Sequence, residues 1–387
     1  MNNFVWHSPC KIIFGTYTQA DIAAECSQYG KKVLIVYGSE RIKSSGLFDN
    51  VTKQLRASGL EYLQIGGVLP NPRLSTVRDG VAICKKENVD FILAIGGGSV
   101  IDSAKAIAVG AKYSGDVWDF YMNKGVITET LQIGCILTLA ANGSECNGNS
   151  VISDWDSKMK RAVGTPLLLP KFSILDPALT ATVPRDHTVY GMVDIMAHVF
   201  EQYFSPTKST YLVDRMSEAV MKTVVAIGPK LLTKLDDYDY RAEILWSGTQ
   251  ALNLSLSCGK DTDFASHMIE HEVSAIYDIP HGGGLSIIFP NWMKYVYKTD
   301  VNKFYNFAVN VWGVDPRGKS DDTVALEGIE ATRAFFTSLG APSTLAHYKI
   351  GGDKIDEMAE KCTMFGPVGG FKKIGRQDVA AILKMCL

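Results

Sequence analysis

The chain has only seven histidines in 387 residues, and none of its eight cysteines forms a Cys-x-x-Cys pair. The cysteines stand at 10, 26, 84, 135, 146, 258, 362 and 386, too far apart for a zinc ribbon or a disulfide scaffold. They read as reduced, mostly buried thiols, including Cys146, which follows Glu145 in a Gly/Asn-rich loop. A surplus of charge is also missing: the formal net charge is −2, with 46% apolar and 21% charged residues. Without a basic excess, neither nucleic acid nor an anionic membrane surface is an expected partner. No stretch is apolar enough to span a bilayer, and the start, MNNFVWHSPCKIIFG, lacks a charged region leading into a long apolar run. The expected site of action is the cytoplasm. No low-complexity tract or internal repeat is evident.

The length favours two domains. In the first half, apolar strands alternate with helical stretches: strands at Lys31 to Gly38, Tyr62 to Ile65, Val89 to Ile95 and Leu131 to Leu137, and a helix at Ser75 to Glu87. Such alternation predicts an α/β domain with a mostly parallel, Rossmann-like sheet. After about Val183 the strand pattern stops, and Tyr211 to Ile227, Arg241 to Leu256 and Thr323 to Leu339 have helical periodicity. Two prolines, Pro177 and Pro184, mark the change, so we expect an α/β domain over 1–182 and an all-helical domain over 183–387.

The scarce histidines are not scattered. Four of them fall between residues 198 and 281, in the pattern Asp194-x-x-x-His198, His267-x-x-x-His271 and His281-Gly-Gly-Gly. Residues four apart share one face of a helix, so each pair can grip a single ion. The stretch Tyr190 to Phe204 is apolar nearly all round and reads as a buried helix, in which an ionised Asp194 needs a counter-charge. Asp261, Thr262 or Asp263 can cap a second helix, from about Phe264 to Tyr277, which Pro280 stops. His281 is then expected on a loop, with Gly282 to Gly284 supplying backbone freedom to turn its ring inward. Singly, each histidine reads as a core or surface residue; together with one carboxylate they suit ferrous iron or zinc rather than calcium or magnesium. His7, His187 and His347 have no partner spacing.

The segment Phe91 to Lys105 runs from strand through Gly96-Gly97-Gly98 into a helix start with Ser99 and Asp102. Glycines admit a pyrophosphate close to the backbone, and a helix N-terminus offers it free amides. The run fits neither G-x-G-x-x-G nor a Walker motif, and a simple tight turn accounts for it as well. At the end of the first strand, where an acidic residue would hold an NAD ribose, stand Tyr37-Gly38-Ser39, with Glu40 next. Gly38 and Ser39 leave room for a 2′-phosphate, so NADP(H) is the expected coenzyme and NAD(H) the alternative.

The turn Gly96-Gly97-Gly98-Ser99-x-x-Asp102, the loop Thr138 to Glu145, the Asp176-Pro177 junction, Asp194/His198 and His267/His271/His281-Gly together resemble the iron-containing (group III) alcohol dehydrogenases. Tyr37-Gly38, the run Ser266 to Gly282 and the run Phe289 to Met293 resemble their butanol dehydrogenase and NADPH-dependent aldehyde reductase branch. The resemblance covers nearly the whole chain. It implies a nucleotide domain, a helical domain and an active site in the cleft between them, in a homodimer. It further implies Asp194, His198, His267 and His281 as the four metal ligands, and His271 as an additional active-site histidine. Gly38, Ser39, Asn71, Gly97, Gly98, Ser99, Asp102, Thr138, Asn147, Lys160 and Leu179 align with positions lining the coenzyme cleft. On local pattern alone, Lys160 belongs to a solvated basic cluster. The chain departs from the family in having Leu139 and Asn142 where threonines are usual.

The expected chemistry follows. A divalent ion held by one carboxylate and three neutral imidazoles carries a charge near +1 and polarises a substrate oxygen, while NADPH delivers hydride to the adjacent carbon of a short or medium aliphatic aldehyde such as butanal. His271 is assigned to the proton path. Alternative readings are a glycerol-dehydrogenase-like polyol oxidoreductase, a dehydroquinate-synthase-like lyase, whose metal set has a glutamate at the His198 position, and a metal-dependent hydrolase in which the glycine turn is structural.

Overall fold

A computed structural model describes residues 1–387, which divide into two compact units, His7–Val183 and Met1–Trp6 with Pro184–Leu387. The first is built on strands β1 (Lys11–Phe14), β2 (Lys32–Tyr37), β3 (Glu61–Ile65), β4 (Phe91–Gly96), β5 (Gln132–Leu137) and β8 (Phe172–Leu175), with the hairpin β6 (Asn149–Asp154) and β7 (Met159–Gly164) outside the main sheet. The main sheet is wholly parallel in the order β1-β8-β5-β4-β2-β3. Its central strands are continuous apolar runs, Val33 to Tyr37 and Phe91 to Ile95, buried on both faces as a helix-covered parallel sheet requires. Phe91 and Phe172 stack across it at 5.8 Å between ring centroids.

Strand order reverses between β2 and β4, which lie side by side with Tyr37 opposite Ile95. A doubly wound sheet binds ligands outside the carboxyl ends of its strands at such a reversal. The segments that leave these two ends are Gly38-Ser39 and Gly97-Gly98, so topology alone brings the two candidate coenzyme turns together.

Strands β1 and β8 were not expected. Each is four residues long, too short to show a period, and they find each other at Lys11 opposite Phe172.

The second unit is helical, its long members being Arg185–Tyr203, Tyr211–Thr233, Tyr238–Leu252, Ala265–Tyr277, His281–Val296, Val301–Trp312 and Asp321–Leu339. Phe200, Phe204, Phe289, Trp292, Phe307 and Phe336 fill its core. No helix of the chain is long and apolar enough to cross a membrane.

Candidate active site

Two buried atoms without hydrogen-bond partners locate the site. Asp194 Oδ1 and His267 Nε2 make no hydrogen bond, although they lie only 3.8 Å apart, and His281 Nε2 is 3.7 Å from the same carboxylate oxygen. Leaving such atoms buried and unmatched is costly. Two donors about 2.1 Å from one ion at a tetrahedral angle stand about 3.4 Å apart, so the spacing and the donor types fit a shared divalent cation.

The helices that carry Asp194, His198 and His267 are the expected ones, the first begun about a turn earlier and the second within a residue of its expected bounds. Asp194 and His198 lie one turn apart on Arg185–Tyr203, and His267 is in the first turn of Ala265–Tyr277. The N-cap position is Phe264, and of the three candidate caps Asp263, one residue before it, accepts from the first helical amide, Ala265 N, at 2.9 Å. His281 departs from expectation. It is the first residue of the helix His281–Val296, with Pro280 before it, and so sits on a rigid element rather than a loop. The glycines after it have a different role from the one expected. None has a positive φ; instead a Cβ on Gly282 would lie 2.2 Å from the Tyr190 carbonyl oxygen, and one on Gly284 would lie 2.7 Å from Glu270 Cγ. Small size at 282 and 284 lets this helix press against its neighbours and carries His281 to Asp194.

Each imidazole is held in one tautomer by an acceptor at Nδ1. His198 Nδ1 donates to the Asp194 carbonyl at 2.8 Å, His267 Nδ1 to Glu201 Oε1 at 2.8 Å, and His281 Nδ1 to Glu270 Oε2. A carbonyl oxygen or an ionised carboxylate can only accept, so every Nδ1 carries a proton and Nε2 is the nitrogen left for an ion. Two donor groups share His281: Glu270, His271 and His281, and the group that holds the two unmatched atoms, Asp194, His267 and His281. His198 lies beside it, with its ring 4.4 Å from that of His267 and its Nδ1 3.2 Å from Asp194 Oδ1.

Glu201 and Glu270 were missed in the sequence, and both are completely buried. Glu201 also accepts from Phe264 N at 2.7 Å and His267 N at 3.1 Å, capping from a neighbouring helix the helix that bears His267. The signal was present, because an acidic residue in an apolar helix needs a partner whether it is Asp194 or Glu201. These two carboxylates stand behind the imidazoles, outside the one carboxylate and three imidazoles on which the expected charge near +1 was reckoned. Burial works against ionisation of Asp194, but the imidazoles of His198, His267 and His281 outweigh it and hold the carboxyl well below its usual range. Burial likewise opposes protonation of His267, yet Asp194 and Glu201 push it up to about 9. His271 faces the same region, with its ring 5.6 Å from that of His281.

On the nucleotide side, Gly97 ends the turn and Gly98 begins the helix Gly98–Ala111. None of Gly96, Gly97 and Gly98 has a positive φ, so the turn itself does not demand glycine. What their lack of side chains leaves open is the approach to a helix N-terminus. Asn142 stands there, its Nδ2 2.2 Å from where a Gly98 Cβ would be, and its Oδ1 accepts from Ser144 N at 3.1 Å. Thr138 N donates to Gly96 O at 3.0 Å, bringing the end of β5 to the turn. Asn71, with φ of 52°, accepts from Lys160 Nζ at 3.0 Å. Lys160 is therefore a buried residue of β7, not part of a solvated face. Ser99 accepts from Ser103 through its carbonyl, and Leu179 lies on the turn Pro177–Thr180, packed on the sheet core. Asp102 and Asn147 are buried within loop contacts: Asp102 accepts from Ser144 Oγ and Val151 N, and Asn147 donates to Gly143 O.

Two family models match the chain: iron-containing alcohol dehydrogenase over residues 9–177, and Fe-containing alcohol dehydrogenase family, C-terminal, over 188–387. The chain belongs to the iron-containing alcohol dehydrogenases. It is 51% identical over 387 residues, covering 100% of both chains, to a probable NADH-dependent butanol dehydrogenase 1 of Bacillus subtilis. It is 35% identical to the NADPH-dependent aldehyde reductase YqhD of Escherichia coli, covering 95% of this chain and 94% of that one. The crystal structure of an NADH-dependent butanol dehydrogenase A from Thermotoga maritima superposes with a TM-score of 0.96 at 39% identity, covering 100% of this dehydrogenase and 99% of that chain. The expectation of a metal-dependent alcohol dehydrogenase with an α/β nucleotide domain and a helical metal-binding domain is thereby met.

Proposed function

We propose that this dehydrogenase interconverts short to medium aliphatic aldehydes such as butanal with their alcohols, using NADH as the hydride carrier. The observation that carries the reading is the set of imidazoles around the Asp194 carboxylate, each with Nδ1 committed to an acceptor so that Nε2 is the nitrogen left for an ion. Asp194, His198, His267 and His281 are the ligands we assign. Ferrous iron or zinc bound there supplies Lewis-acid polarisation of the substrate oxygen. The protein's own part is to hold the donors rigid, through Glu201 and Glu270, and to move a proton. His271, one helical turn beyond His267, is placed beside His281 to exchange that proton with solvent, outside the group of Asp194, His267 and His281. The turn at Gly97, Gly98 and Ser99 takes the coenzyme phosphates.

For the coenzyme we propose NADH where the sequence reading expected NADPH. Glu40 Oε1 accepts from the Tyr37 hydroxyl at 3.3 Å, which keeps a carboxylate at the end of β2. Its hydrogen bond to Lys43 lowers its pKa, so it remains ionised and opposes a 2′-phosphate. The NADH-dependent relative at 51% identity supports this choice.

The test follows NADH absorbance with butanal, using protein stripped of metal and refilled with ferrous iron or with zinc. Metal-dependent oxidation of NADH is the expected result. Turnover undiminished by stripping would defeat the metal assignment, and failure to bind NADH would defeat the coenzyme assignment.

A further inference from the structure

Lys105 is fully buried, and nothing in the reaction so far uses it. It sits mid-helix in Gly98–Ala111, seven residues beyond Gly98, the first residue of that helix, and its ammonium is enclosed by oxygens from one short stretch of chain. Nζ lies 2.7 Å from Ser144 O, 2.8 Å from Ser144 Oγ, 2.9 Å from Asn147 O, 3.3 Å from Asn147 Oδ1 and 2.8 Å from Asn149 O. Three carbonyls, an amide oxygen and a hydroxyl around one cation resemble the shell a protein builds for a bound metal ion. The hydroxyl can only accept here, because Ser144 Oγ donates to Asp102 Oδ1 at 2.6 Å. The order is therefore ammonium to hydroxyl to carboxylate, and Asp102 Oδ2 continues it by accepting from Val151 N at 3.0 Å.

We propose that Lys105 is a positioning residue for the coenzyme, acting as a built-in cation around which the 142–149 loop folds. Without a charge at the centre, the carbonyls of Ser144, Asn147 and Asn149 converge on nothing and repel one another. The loop so held carries Asn142, whose side chain lies over Gly98 at the N-terminus of the same helix. One helix thus presents its N-terminus to the coenzyme phosphates and, two turns further on, anchors the loop that borders them. This rests on the reading that the Gly97 to Ser99 turn takes those phosphates.

The experiment compares wild type, Lys105→Met, Lys105→Ala and Ser144→Ala as metal-loaded holoenzymes. NADH Kd is read by nicotinamide fluorescence, and loop order by hydrogen exchange at residues 143–149. The expected result is a rise in NADH Kd of at least tenfold (~10) for Lys105→Met, a smaller rise for Ser144→Ala, faster exchange in the loop, and unchanged metal content. Ethylammonium should restore part of the affinity of Lys105→Ala and none of that of Lys105→Met, where the side chain fills the space. Wild-type NADH affinity in Lys105→Met overturns the proposal. Should both Lys105 variants fail to fold, unchanged Kd and loop exchange in Ser144→Ala overturn it. Absence of NADH binding by wild type defeats the coenzyme reading instead, and the clamp is then decided by loop exchange alone.

Discussion

Glu201 makes three hydrogen bonds from the interior of the metal-bearing unit, and replacing it separates two jobs. Its Oε1 accepts from His267 Nδ1 at 2.8 Å and His267 N at 3.1 Å, and its Oε2 accepts from Phe264 N at 2.7 Å. The first bond fixes the imidazole; the other two cap a helix. Glu201→Gln keeps the shape but turns one acceptor into a donor. Whichever way the amide lies, an N–H faces an N–H, and the charge that strengthens the imidazole as a donor is gone. Removing a carboxylate behind a metal-bound histidine costs about 10- to 100-fold in metal affinity, on the order of 1.4–2.7 kcal/mol. Loss of the cap costs about 0.5–2 kcal/mol of stability whether or not metal is present.

The assay is competition for zinc against a chromophoric chelator, beside the melting temperature of metal-free protein. Glu201→Gln should weaken zinc binding by at least tenfold (~10) and lower the metal-free Tm by a few degrees. A double mutant supplies the control: in a His267→Ala background, Glu201→Gln should scarcely change zinc affinity further, because its effect runs through that ring. If Glu201→Gln lowers Tm but leaves zinc affinity within a factor of about 2 of wild type, Glu201 is a cap and nothing more, and the locked-tautomer argument fails.

Three further outcomes are expected. Glu40→Ser should shift the NADPH-to-NADH ratio of kcat/KM toward NADPH by about fivefold at low salt and by less at high salt; an unmoved ratio clears Glu40 of any part in coenzyme choice. His271→Ala should lower kcat by about 10²-fold while metal content stays near wild type; protein purified without metal would make His271 a ligand. Burial, then the charge of Glu201, pushes the Asp263 carboxyl up to about 7 against three backbone N–H donors. A carboxyl whose folded pKa exceeds its unfolded value gives stability that is complete below about pH 4 and is lost as pH rises through about 7. Asp263→Asn should therefore gain on wild type in Tm of the metal-free protein between pH 4 and 8. The lost acceptor shifts that difference uniformly, so only its slope with pH tests the carboxyl.

Legibility in the sequence followed the range of the interaction concerned. The helices bearing Asp194, His198 and His267 are visible from i, i+4 spacing and apolar flanks, and the strands leading to Gly38 and Gly97 from uninterrupted apolar runs, because each of these signals lies within one turn or one strand. Strands β1 and β8 carry no such signal: four residues apiece, they are strands because β5 supplies a ladder to β8 and β8 one to β1. The same holds at the site. His281 follows a proline and precedes three glycines, which locally spells a loop. It starts a helix because Tyr190 and Glu270, distant in sequence, leave room only for glycine beside it. Glu201 and Glu270 escaped notice because a metal motif names the atoms that touch the ion, and these carboxylates stand behind the imidazoles. Their burial is costly unless matched, and the match is with His267 and His281, 66 and 11 residues away. An apolar helix holding more acidic residues than its motif explains is therefore a place to look for the groups behind the ligands. In Arg185–Tyr203, once Asp194 is given to the ion, the unexplained acid in the buried half of the helix is Glu201.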